Sequence, residues 1–290
     1  MLDYAARQAG RLAVGLVGTV IIAAVISAVA EPRAYGFLPF LQAAGSRLLH
    51  FLQFDFGTSV TTGTPAVTEL AQRLPPTLLL VLSGGAVALL AGVPLGLLFG
   101  AGPARRAAAP FMQIVNATPV FVAGLALAYG AGHLLGWPLT VNVPPGAFEA
   151  PEEAFRIAAL PVLTVGLAGA AAVQLALRRA ASQSSGAMFR SGLKRLGLGA
   201  IEIERLYVLP QVLASLVASA EEIMLALLSA AVVAEWVFLR PGAAELFVKS
   251  VALHDWNMTA LILMVFAGLT FVTGFFGRIA GYALANEGKP

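Results

Sequence analysis

Long apolar runs separated by short polar links organise the chain. The first, Leu12 to Ala30, follows Arg7 and Arg11. Its Ala28-Val29-Ala30 end also matches a signal-peptide cleavage site, but the run is long for a signal, so it reads as a retained helix. Residues 31 to 75 are mixed. Phe37, Leu41, Leu48 and Leu52 there predict a helix along the membrane surface, and turns follow at Gly57, Thr58, Gly63 and Pro65. A second run covers roughly Pro76 to Ala101, with Pro94 inside it. The basic link Pro103-Ala104-Arg105-Arg106 leads to a third, at Phe111 to Leu135. A loop rich in Pro, Gly and Glu (138 to 155) precedes a fourth, Ile157 to Leu177, and the polar stretch Arg178 to Arg205 precedes a fifth, Leu206 to Val237. A loop ending at Asp255 leads to the sixth, Trp256 to Leu284. A spanning helix needs about 20 mainly apolar residues. The pattern therefore predicts an all-α polytopic membrane protein with six transmembrane helices. Residues 1–53 form the first helix and a surface segment, and 54–290 form a five-helix core with a cytoplasmic loop at 182–205.

Composition narrows this further. Of 290 residues, 59% are hydrophobic and 11% charged, with mean hydropathy +0.84. A soluble domain carries about a quarter charged residues, so the natural solvent here is a bilayer. The absence of cysteine excludes disulfides, thiolate metal sites and a cysteine nucleophile. His50, His133 and His254 lie far apart, without metal-ligand spacing. The basic residues are not massed in one patch, which argues against nucleic acid. With the N-terminus inside, twelve of the 18 Lys and Arg fall on the cytoplasmic side: 7, 11, 105, 106, 178, 179, 190, 194, 195, 205, 278 and 289. That asymmetry follows the positive-inside rule and places both termini in the cytoplasm.

Two segments carry candidate chemistry. Phe189, Leu193 and Leu196 recur at helical spacing, with Arg190, Lys194 and Arg195 on the other faces. Gly197 and Gly199 stop this short amphipathic helix and Pro210 opens the next span. The residues alone leave two readings: a helix resting at the headgroups, or a knob gripped by a cytoplasmic partner. The second segment is Glu221-Glu222, midway along the fifth run. An ionised carboxylate at bilayer centre costs at least about 2.5 kcal/mol, so it needs a cavity or a partner. The pair either meets a cationic or amine-bearing substrate, or is protonated or ion-paired and holds helices together, an arginine of another subunit being one partner. Neighbouring helix positions point about 100° apart, which argues against both facing one cavity. Asn116 and Gln174 line a path or bond between helices. Glu235, at an outer helix end, is satisfied by water or a loop amide. Gly84, Gly85 and Gly169 to Ala172 read as close-packing surfaces. With no GxxxxGK[ST], HExxH or GxSxG, no catalytic residue is identified and the chain is not an ATP hydrolase of the phosphate-loop type.

The order of several motifs resembles the permeases of the dipeptide, oligopeptide and nickel ABC importers. Gly197 stands thirteen residues before Pro210, as in that family's cytoplasmic loop. Asp55-Phe56-Gly57-Thr58-Ser59, Arg73-Leu74-Pro75-Pro76-Thr77 and Gly92-Val93-Pro94-Leu95-Gly96 look like its stretch into the second helix. Pro119-Val120-Phe121, Leu160-Pro161-Val162-Leu163-Thr164, Glu235-Trp236-Val237-Phe238, Pro241-Gly242 and Asp255-Trp256 follow in family order. Departures include Met188-Phe189 for an acidic-aromatic pair and Tyr207 for a common histidine. The resemblance implies the fold of an ABC type I importer permease in a bacterial inner membrane. It also implies a second homologous permease subunit, two cytoplasmic ATP-binding subunits and an extracytoplasmic solute-binding protein. Phe189, Arg190, Leu193, Lys194, Leu196, Gly197 and Pro210 would then form the ATPase-coupling loop. No cofactor is bound by this chain on that reading, ATP and Mg belonging to the partner ATPases. A secondary transporter or channel is the alternative. Peptides, opines, nickel chelates and sugars remain open as cargo.

Overall fold

The computed structural model describes residues 1–29, 36–98, 117–137, 151–184, 192–193 and 195–286. Its elements are α1 (Leu2–Ala28), α2 (Phe37–Leu52), α3 (Ala66–Leu98), α4 (Val120–Leu135) and α5 (Pro151–Ser184). A single turn (Ala200–Ile203) and a π-helical turn (Glu204–Val208) lead to α6 (Leu209–Ala218), α7 (Ala220–Val237), α8 (Ala243–Ala252) and α9 (Trp256–Asn286). No β-strand forms among the described residues; one isolated bridge, Thr58 with Pro65, closes the turn before α3.

By length and composition α1, α3, α5 and α9 can each cross a bilayer, and α6 with α7 crosses as a pair bent by 52°. Helix α4 is a shorter apolar segment of 16 residues, and the first part of its expected run, Phe111 to Asn116, lies outside the described residues. The outward faces are apolar: Leu79, Leu82, Leu89 and Leu90 of α3 and Val14, Val17 and Ile22 of α1 are exposed. Backbone groups bonded within helices make such faces compatible with hydrocarbon.

Four sequence expectations shift. Helix α3 begins ten residues before Pro76, so Pro75 and Pro76 lie inside it. Those prolines carry no N–H, which leaves the carbonyls of Ala71 and Gln72 without their helical donors. Helix α5 extends beyond the fourth run at both ends. The loop before Asp255 contains α8, whose Ala243, Ala244, Leu246 and Ser250 face inward. Finally, the fifth span is two helices. Ser219 donates its hydroxyl back to the Ser215 carbonyl (2.9 Å) and takes a non-helical conformation (ψ 11°), a local hydrogen bond of the kind that bends helices.

Small residues bring the inner helices together. A side chain at Gly84 would meet Val165 at 2.5 Å, and one at Gly169 would meet Ala88 and Leu227 at 2.6 Å. These contacts make α3 and α5 a close-packed pair, as the glycines and alanines predicted. Gly277 and Gly281 of α9 likewise lie against the Val217 and Ala214 carbonyls of α6. Without a hydrophobic drive between helices in lipid, such close approach supplies the packing attraction.

Candidate coupling and translocation site

At one end of the bundle, the segment before α6 is anchored by its leucines. Gly197 adopts φ +87°, and the Leu198 amide donates to the Leu193 carbonyl at 3.3 Å. This is the six-to-one bond of a glycine-terminated helix end. Leu193 and Leu198 both pack on the main hydrophobic core, while Leu196 is 79% exposed. Gly197 thus ends a helical turn, and Pro210 sits in the first turn of α6, directly after the π-helical turn Glu204–Val208. Phe189, Arg190 and Lys194 lie outside the described residues, as does Asn116.

The bend at Ser219 puts Glu221 and Glu222 in the first turn of α7 rather than mid-helix. Both line one cavity of about 650 Å³, whose other walls are mainly apolar (Leu225, Leu228, Phe247, Phe266 and Phe271 among them), with Ser229 and Thr270 the polar exceptions. The 100° offset of adjacent positions therefore does not separate them. Each carboxylate has an arginine of this same chain as partner. Arg278 of α9 pairs with Glu221 and donates through Nε to Gln8 of α1 at 2.7 Å, and Arg179 of α5 reaches Glu222 at 2.5 Å. Gln174 is buried on α5 and does not line that cavity.

A second polar centre lies at the opposite end of α7. Glu235, 1% exposed, accepts from the Thr77 hydroxyl at 2.6 Å and from the Glu245 amide at 2.8 Å. Thr77 in turn accepts from the Ala243 amide at 2.7 Å. The first amides of α8 are thereby satisfied by side chains from α3 and α7 rather than by a local cap, and a helix N-terminus favours the negative charge. Gly242 has an extended backbone (φ −149°) that any residue can adopt, but a Cβ there would overlap the Glu235 carboxylate. The amide expected from a loop comes instead from the first turn of α8, and the Thr77 hydroxyl joins it. Three separate motifs of the sequence, the Arg73 to Thr77 stretch, Glu235 and Pro241-Gly242, meet at this point.

Nearby, Asp255 caps α9 through the Met258 amide (3.2 Å) and accepts from Ser59 at 2.5 Å. Asn257 joins Ser27 of α1 (2.7 Å), Arg47 of α2 and the Thr58 carbonyl. On the loop beside them, the Gly57 amide and the His50 ring hold the Asp55 carboxyl below its ordinary value. No cluster of three or more His, Cys, Asp or Glu residues able to hold a metal occurs among the described residues.

Comparison with known proteins agrees with this architecture. The family described as "Binding-protein-dependent transport system inner membrane component" matches residues 88–285. The chain is similar to the peptide transport system permease protein SapB of Salmonella typhimurium, with 25% identity over 263 residues covering 82% of each chain. The oligopeptide transport system permease protein OppB of Mycobacterium bovis is 26% identical, covering 85% of this chain and 79% of the relative. The dipeptide transport system permease protein DppB of Lactococcus lactis is 28% identical over 76% of this chain and 74% of its own length. Among solved structures, an amino acid ABC transporter crystallised with histidines shares the fold at TM-score 0.52 and 16% identity, covering 81% of this chain and 97% of that one.

Proposed function

The chain belongs to the binding-protein-dependent transport system inner membrane components, permease subunits of ATP-binding-cassette importers, and from that premise we propose that it forms half of a translocation pathway for a small peptide-like solute. It is a transport subunit and not an enzyme. The other half comes from a second homologous permease, and an extracytoplasmic binding protein delivers the solute at the α8 end. Two cytoplasmic ATPases, holding ATP and Mg, grip the loop around Phe189, Arg190, Leu193, Lys194, Leu196 and Gly197. Both termini lie in the cytoplasm of a cell with this inner membrane.

One observation carries the reading: the 650 Å³ apolar cavity bearing Glu221 and Glu222 lies along α7, α8 and α9, and α7 continues through α6 to the Gly197 loop. A peptide offers apolar side chains to such walls and an ammonium group to the carboxylates. Closure of the ATPases then pushes the Leu193-anchored turn, and α6 carries the motion to the cavity.

The decisive experiment co-expresses the chain with its genomically neighbouring permease, ATPase and binding-protein subunits and reconstitutes them in proteoliposomes. ATP-dependent uptake of radiolabelled tri-alanine, abolished when the ATPases are omitted, is the expected result. Uptake by the isolated chain without nucleotide would show a secondary transporter or channel and overturn the proposal.

A further inference from the structure

A second hollow lies against the apolar cavity. This cleft, of about 360 Å³, has Arg179, Ser215, Ser219, Arg278, Glu221 and Glu222 in its lining. Glu221 and Glu222 line both hollows, so the two meet along the first turn of α7. They differ in kind. The larger is walled mainly by leucine and phenylalanine, whereas the smaller gathers two carboxylates, two guanidinium groups and two serines. Its charges come from three helices: Arg179 from α5, the glutamates from α7 and Arg278 from α9.

The two ion pairs are not equally enclosed. Glu221 and Arg278 are 29% and 20% exposed, and the bond from Arg278 to Gln8 of α1 holds that pair in place. Glu222 and Arg179 are 59% and 53% exposed, so a solute in the cleft reaches both charges. Helices α5 and α7 also touch directly, Leu227 filling the space beside Gly169. An ion pair this exposed adds little to stability, which leaves it available for exchange of partners.

Charge balance says which solute can make that exchange. The four charged groups sum to zero. A lone ammonium group taken by Glu222 strands Arg179, a lone carboxylate taken by Arg179 strands Glu222, and a stranded charge in a low dielectric is costly. A solute carrying both groups strands neither. The cleft is near the lower end of small-molecule sites, about 300–1,000 Å³, so it suits a charged backbone, while the adjoining cavity accepts apolar side chains. We propose that the cleft is a zwitterion-binding subsite. A short peptide with both ends free inserts between Glu222 and Arg179, its ammonium group on the carboxylate and its carboxylate on the guanidinium. Glu221–Arg278 stays paired beneath it. The proposal rests on the importer function above and deepens it: the pathway itself selects net-neutral solutes with free ends.

The test uses the assembled complex of both permeases and both ATPases in lipid nanodiscs, without the binding protein, so that selection belongs to the pathway. Three radiolabelled probes are compared: tri-alanine, N-acetyl-tri-alanine, which lacks the ammonium group, and tri-alanine amide, which lacks the carboxylate. Each cap weakens binding to wild type about tenfold, the effect of losing one hydrogen bond between charged groups. Glu222→Gln leaves the cleft with one net positive charge, and N-acetyl-tri-alanine gains about tenfold relative to tri-alanine. Arg179→Gln leaves one net negative charge, and tri-alanine amide gains by about the same factor. Loss of fold weakens all three probes alike, so shifts in opposite directions report the charges. No binding of any probe, equal binding of all three to wild type, or one unchanged ranking in both variants refutes the subsite. ATP-dependent uptake of tri-alanine by the complete importer then still stands as evidence for the importer function. Absence of that uptake would instead remove the importer function, and the subsite's part in transport with it.

Discussion

Gly242→Ala isolates the centre at the α8 end of the cavity. Its backbone is extended, so alanine brings no conformational strain, and the whole effect is steric: the new methyl occupies the space of the Glu235 carboxylate. To avoid it the carboxylate must leave the Thr77 hydroxyl and the Glu245 amide. Hydrogen bonds to a charged group contribute about 1.5–3 kcal/mol each, which sets an upper range of about 3–6 kcal/mol for both. Partial relaxation of a terminal carboxylate keeps some of this, and about 3 kcal/mol of destabilisation is expected. Glu235→Ala removes the obstacle, so Gly242→Ala in that background costs no more than about 0.5 kcal/mol. The two changes therefore couple by about 2.5 kcal/mol, within the range for residues in direct contact. Equilibrium unfolding of the purified permease in mixed detergent micelles, read for wild type, both single variants and the double variant, gives the coupling directly. Effects that add to within about 0.5 kcal/mol would show that the carboxylate does not occupy the space Gly242 leaves open.

Two further outcomes follow from local geometry. Gly197→Ala places a side chain at φ +87° in open space, so only backbone strain acts, and it should destabilise the loop by about 1–2 kcal/mol, with Gly197→Asn recovering part of that. The loss is measured as weaker retention of the ATPase subunits on purification, and equal retention in both variants would remove the turn from the coupling path. Asn257→Leu strands the buried Ser27 hydroxyl and the Thr58 carbonyl, at a cost of about 2–3 kcal/mol. Limited proteolysis should then release α1 faster than from wild type.

Periodicity and composition make the spans legible because a bilayer imposes length and apolarity on every crossing helix. Trp256 begins α9 and Pro210 sits in the opening turn of α6, since such boundaries are local chemistry. Gly197 stops its turn for the same reason. The bend at Ser219 is invisible in the sequence: no proline or glycine marks it, and the serine that makes it looks like any other small residue. Helix α8 is hidden because ten residues between two long apolar runs read as a loop, and its capping groups come from Thr77 and Glu235 rather than from its own first residues. The glutamate pair stands out by its cost in lipid, yet Arg179 and Arg278 as partners could come only from folding, 43 and 57 positions away. Part of the coupling stripe, Phe189, Arg190 and Lys194, lies outside the described residues.

The Thr77–Glu235 contact also has a temporal meaning. Thr77 is synthesised 158 residues before Glu235, whereas the Glu245 amide follows Glu235 by ten. When Glu235 leaves the ribosome and enters the membrane, its hydroxyl donor is already in place, but the amides that balance its charge do not yet exist. Only after Ala243 to Glu245 have emerged and turned into α8 can the carboxylate settle between α3 and α7. A nascent chain halted before that point retains an uncompensated acidic group beside an early helix. The α8 end of the bundle thus closes only once residues 243–245 have emerged, and a shorter product leaves the Glu235 carboxylate without the Glu245 amide.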